Sequence, residues 1–209
     1  MRRLLTSRLP RFSRRTLALT TTAFVLSLAA AVPAFGLSGT IVDWFGASTA
    51  PSASQDVFAQ MDVGAPKGMA PNTSGPARSI LQASLNGTKS NLWVAPTQQG
   101  GFCTYLEGYA AGCDRDRSGP LEWASKGAVV FGDALSPEVD HIELRYANGD
   151  RVSIPVTRVS KPIDASFFVY EIPSTEMQPT GSTITIEAVT ADGSTVATDT
   201  IPVFTPPTP

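Results

Sequence analysis

The stretch "DHIELRYANGDRVSIPV" (140–156) constrains the fold more than any other part of the chain. Ile142, Leu144 and Tyr146 alternate with His141, Glu143 and Arg145, and after the turn "ANGD" Val152, Ile154 and Val156 alternate with polar partners. A period of two places one set of side chains on each face of a strand, so the stretch predicts a hairpin with one apolar face. A two-stranded hairpin is marginal in water, and that face needs cover from further strands.

Such strands recur from Ala77 onward. "ARSILQASL" and "KSNLWVAP" flank Asn86-Gly87, a pair suited to the two positive φ values of a tight hairpin turn. "TQQG" then leads into "GFCTYLEG", which predicts a three-stranded meander within 77–126. Beyond it, "GAVVFG" reads as an edge strand and "SFFVYEI" as a strand buried on both faces. "STITIEAVT" and "STVATDTIPVF", joined at "ADG", read as a last hairpin. Strands at roughly 8–12-residue spacing with Gly, Asn and Asp turns predict an all-β chain. The expected architecture is an antiparallel immunoglobulin-like sandwich over 127–205, preceded by the β-meander of 77–126. Residues 38–76 are rich in Ser, Ala, Pro and Gly and read as a linker. A short helix over 55–61 interrupts it, with Ser54 as cap and Val57, Phe58 and Met61 on one face.

The N-terminus predicts where this architecture resides. Six Arg and no acidic residue lie in 1–15, and no charge follows from Thr16 to Val42. The apolar part of that run, 16–37, is long enough for a transmembrane helix, and the Arg bias keeps residues 1–15 cytoplasmic. Two readings compete. One is an uncleaved single-pass anchor; the other is a signal peptide cut after Ala34, where "VPA" supplies small residues. Either way the remainder is delivered outside. That remainder carries ten basic against eighteen acidic residues, about −8, which repels phosphate backbones and excludes nucleic acid as a partner.

The only cysteines are Cys103 and Cys113. Two Cys and the single His141 fall short of a zinc site, and the spacing is not that of a redox pair. In an oxidising compartment a disulfide is the simplest fate for such a pair. The following "DRDRSGPLE" resembles a calcium loop, with Asp114, Asp116, Ser118 and Glu122 as oxygen donors. It departs from that pattern at the twelfth position, which is Ser125 instead of a bidentate Glu, and two Arg oppose a cation. A solvated loop is the alternative, and no metal or cofactor is expected.

Catalytic signatures are missing from the sequence. No "GxSxG" occurs, and no Ser lies three residues before a Lys. A carboxylate pair such as Glu107 and Glu122 would be required of a hydrolase, but any two carboxylates can be named so. Aromatic residues do concentrate near the two cysteines. Tyr105, Tyr109 and Trp123 are the candidate contact residues for a ligand, with core packing on the disulfide as the competing role.

"LWVAPTQQGGFC", "GCDRDR" and "IELRYANGDRVSIPV", together with the Arg-rich N-terminus and single apolar segment, resemble a group of bacterial exported or membrane-anchored β-sandwich proteins. The resemblance implies fold and location, and that group brings no activity with it. The expectation is a non-catalytic binding or envelope-structural module, with a cell-envelope protein or polysaccharide as partner. The alternatives are an extracytoplasmic sensor domain, for which residues 1–15 are too short to serve as a cytoplasmic effector, and an envelope hydrolase.

Overall fold

The computed structural model describes residues 40–64, 70–113, 119–176 and 181–203. The N-terminal segment to which the anchor and signal readings apply lies outside them. Among the described residues no helix is long and apolar enough to cross a membrane.

The described residues are mostly β, in three sheets, with one disulfide inside the first of them. The first sheet is the meander β2 (Arg78–Leu85), β3 (Thr88–Pro96), β4 (Phe102–Leu106) and β5 (Ala110–Cys113), in that order. The β2–β3 hairpin turns where the sequence predicts, with Asn86 and Gly87 at φ 50° and 74°. The predicted third strand is there, but the meander continues into a fourth. Residues 121–126 then leave it.

They form β6 (Leu121–Lys126), which pairs with β7 (Val129–Ala134) at one end of the middle sheet. β11 (Ala165–Glu171) lies on the other side of β7, followed by β10 (Thr157–Val159) and the short β1 (Thr40–Val42). The strand expected at an edge, "GAVVFG", is therefore flanked on both sides. Its run of apolar residues is the mark of a strand covered on two faces. Among the described residues the one parallel pairing is β1 with β10, where Ile41 lies opposite Arg158.

The third sheet has the order β13 (Thr195–Pro202), β12 (Thr183–Thr190), β8 (Val139–Arg145), β9 (Arg151–Pro155). Its inner face carries the residues that the alternation selected, Ile142, Leu144, Tyr146 and Ile154, all buried. Its outer face carries the complementary set, tied by Arg145 to Glu187 (2.7 Å) and to Glu143 (3.3 Å). Glu187 is buried and Glu143 largely covered, so this part-buried network satisfies charges on the outer face that would otherwise lack partners.

Two cores flank the middle sheet. Val130, Ala134 and Phe168 face the third sheet, whereas Val129, Phe131 and Phe167 face the meander. Phe102 of β4 meets Phe167 at 5.1 Å between ring centroids, joining the first two sheets. "SFFVYEI" is buried on both faces, as its unbroken apolar run predicts, with Phe167 and Phe168 both fully buried.

The stretch 38–76 is not a linker where it is described. Trp44 lies in the meander-side core with 4% of its surface exposed. Helix α1 (Ser52–Gly64) covers the outer face of the meander through Phe58 and Met61, packed with Trp93 and Cys103. It is longer than the predicted 55–61, and Ser54 is a buried residue inside it, not its cap. The Gln55 side chain fastens the helix to the sheet by accepting from the Ala77 amide and donating to the Ala50 and Ala77 carbonyls. A few large side chains among small ones are enough to bury such a segment, although its composition matches a linker.

Candidate functional site

The disulfide joins Cys103 and Cys113, which sit directly opposite each other on β4 and β5. The segment between them is a hairpin whose turn spans Glu107 to Tyr109. Cys103 is fully buried, and the Met61 sulfur lies 3.4 Å from that of Cys113. β5 has only the small residues Ala110, Ala111 and Gly112 besides Cys113, so little apolar area holds it to β4. Closing a loop of this size contributes about 2.5–3 kcal/mol in the chain-entropy model. We expect Cys103→Ser with Cys113→Ser to lower stability by that amount in urea denaturation. Equal midpoints with and without the bond would show that the hairpin closes without it.

The three aromatic residues singled out in the sequence are not brought together. Tyr105 belongs to the outer layer, edge-on to Phe58 at 6.4 Å. Tyr109 lies against the core between meander and middle sheet, and its hydroxyl accepts from the Asn86 side chain at 3.0 Å. Trp123 packs on the other core, and its indole N–H donates to Asp199 at 2.8 Å. The pleat explains this dispersal. Successive residues of β6 point to opposite faces, so Glu122 and Ala124 face the staple while Trp123 faces away.

Glu122, named in the calcium alternative, lies opposite Asp133 in the β6–β7 register. Both line a cleft of about 160 Å³ between meander and middle sheet, beside Thr104 and Cys113 and above Phe131 and Phe167. Neither carboxylate is without a partner. The cleft admits one side chain or a few waters and is well below the roughly 300–1,000 Å³ of a small-molecule pocket. Asp114, Asp116 and Ser118 lie outside the described residues. Among the described residues no group of three or more His, Cys, Asp or Glu could hold a metal. Glu107, the other carboxylate of the hydrolase reading, is on the β4–β5 turn and accepts from Asn91 at 3.1 Å.

Two further features were not read from the sequence. An open groove of about 700 Å³ runs between the tip of the β2–β3 hairpin and the end of β11, lined by Ser84, Asn86, Tyr170 and Pro173 among others. The Asn86 amide donates to Glu171 across it at 2.8 Å. Nearby, the hydroxyls of Tyr146 and Tyr170 both donate to Glu176 Oε2, at 3.1 and 3.3 Å. No motif marks this cluster, because its members come from three separate elements.

Burial chiefly, then the Tyr170 and Glu176 neighbours, pushes the Tyr146 phenol far above its ordinary range. Tyr170 is raised by burial and by the Glu176 carboxylate. A raised phenol binds its proton more tightly in the folded than in the unfolded chain. Its contribution is therefore complete below the unfolded value of about 10 and is lost as pH rises above it. We expect the melting temperature to fall more between pH 9 and 11 in the wild type than in Tyr146→Phe with Tyr170→Phe. Equal falls would remove the cluster as a source of alkaline sensitivity.

His141 sits on the outer face of the third sheet, its Nδ1 3.1 Å from Asp140. Compared with known proteins, the chain matches no family, no curated protein and no solved structure.

Proposed function

We propose that this chain is an exported β-module that acts at the cell envelope by binding or by structural support, without catalysis. Residues 16–37 hold it to the membrane, or cleavage after Ala34 releases it. The observation that carries the proposal is the bonded Cys103–Cys113 pair, which suits an oxidising, extracytoplasmic compartment. It agrees with the direction of export argued from the Arg-rich N-terminus.

The strand orders support an immunoglobulin-like sandwich at its centre. β6-β7-β11-β10 and β9-β8-β12-β13 correspond in sequence to A-B-E-D and C′-C-F-G of that architecture. The meander and α1 then form an added layer over the A-B-E-D face. Sandwiches of this type serve many purposes, so the fold supports a module and the function rests on location and surface. Tyr105 and Tyr109, both half-buried, remain the contact residues proposed for an envelope protein or polysaccharide.

Alkaline phosphatase fused after Pro209 is expected to be active, and the same enzyme fused after Arg15 inactive. Activity from the short fusion alone would reverse the topology. The exported chain is expected to retain envelope protein or polysaccharide in a pull-down, with retention reduced by Tyr105→Ala or Tyr109→Ala at unchanged fold. Retention of nothing beyond a denatured control would end the binding proposal and leave the structural one.

A further inference from the structure

Four large apolar side chains are exposed among the described residues, and two of them, Ile41 (74%) and Phe45 (73%), lie within five residues of each other. A lone exposed apolar residue is ordinary. The mount of Phe45 is not. Trp44 beside it is buried, and the Trp44 amide donates to Ser160 Oγ at 2.9 Å. The amides of Gly46 and Ala47 close onto the Asp43 carbonyl at 3.2 and 3.1 Å. Arg78 lies over the Trp44 ring at 5.7 Å and donates to the carbonyls of Phe45 and Ala47, at 3.2 and 2.7 Å. The backbone on either side of Phe45 is thus fixed, and the fixed turn presents the ring to the outside. Ile41 is held on β1 by pairing with β10.

We infer that Ile41 and Phe45 enter the interfacial region of a lipid bilayer, so that the folded β-stack rests on the membrane through this corner. The inference builds on the proposal that residues 16–37 stay as an anchor. The uncharged run beginning at Thr16 continues unbroken to Val42, which brings the bilayer within a few residues of Ile41. Three of the ten basic residues beyond the N-terminal cluster flank the corner. Arg78 clasps the turn, Arg158 is paired with Ile41, and exposed Lys161 follows Ser160. Of the nearby acidic groups, Asp43 is bonded to Ser160, Asp164 is paired with Arg158, and exposed Glu138 follows Pro137, whose carbonyl accepts from Arg158. An aromatic and an aliphatic side chain among cations is a composition that settles at the membrane–water interface, where the rest of this acidic protein would not.

The test uses the full chain in vesicles of phosphatidylcholine and phosphatidylglycerol. Ile41→Cys, Phe45→Cys and, as control, Val196→Cys are each labelled with an environment-sensitive fluorophore. The native cysteines are bonded to each other and leave the new thiol to react. Labels at 41 and 45 are expected to shift to the blue and to lose intensity to spin-labelled lipid, while the label at 196 does neither. Labels at 41 and 45 as water-exposed as the control would overturn the inference. So would self-quenching that rises with protein density without quenching by lipid, which would give the corner to a second copy. The mass of the chain recovered from cells reads the anchor separately. A mature N-terminus at Phe35 would end the anchor proposal and leave the quenching result to decide the corner.

Discussion

Replacing Phe168 by Ala is expected to destabilise the protein by about 3–5 kcal/mol, and replacing Phe167 by Ala to cost a similar amount. These neighbours in sequence fill different cores, Phe168 between middle and third sheets and Phe167 between middle sheet and meander. Both are fully buried on β11, so each truncation leaves a cavity whose walls are strands and cannot close easily. For a chain of this size a kcal/mol corresponds to about 2–4 °C in melting temperature, so each variant should melt roughly 10 °C lower. The two cores share one sheet, and we expect a single transition in both variants. If Phe167→Ala produced an early transition confined to the meander, the three sheets would have to be regarded as two units.

Gly132→Ala is the second large effect. A Cβ on Gly132 would collide with the Glu122 carbonyl oxygen and lie 2.8 Å from the Trp123 Cα. Both obstacles are backbone of the adjoining strand, so no side chain can swing aside. β6 would have to move, and with it Trp123 and its bond to Asp199, which ties the edge of the middle sheet to that of the third. A loss of about 3 kcal/mol is expected. Gly112→Ala on β5 is the control, because its Cβ would meet nothing within 4 Å. It should change stability by no more than about 0.5 kcal/mol. A Gly132→Ala protein with the wild-type urea midpoint would mean that β6 and β7 do not approach as closely as described.

Local patterns carried the parts of this fold whose causes are local. Asn86-Gly87 fixes its turn by backbone conformation, and the alternation in 140–156 separates a buried face from a wetted one. The run Phe167–Phe168–Val169 reads as covered on both sides because no polar residue interrupts it. What escaped depends on partners distant in sequence. β5 is four residues of small side chains with no pattern, and becomes a strand because the Cys103–Cys113 bond and the turn hold it against β4. β1 is three residues long and acquires its place from β10. The aromatic cluster near the cysteines was plausible by proximity along the chain. It dissolves because β6 joins another sheet, so Trp123 and the staple end on opposite sides of it.

The pairing of β1 with β10 also sets an order of events. The Trp44 amide and its acceptor Ser160 are 116 residues apart, and ribosomal synthesis supplies the first long before the second. Until β10 exists, the Trp44 amide lacks its acceptor and β1 its neighbour, whereas the meander can close on contacts that are close in sequence. Joining ends so far apart is entropically costly and slow. The docking of residues 40–44 therefore waits for β10, near the end of synthesis, with only β11, β12 and β13 still to follow. Any chain released short of Thr157 would keep its first strand open to proteases.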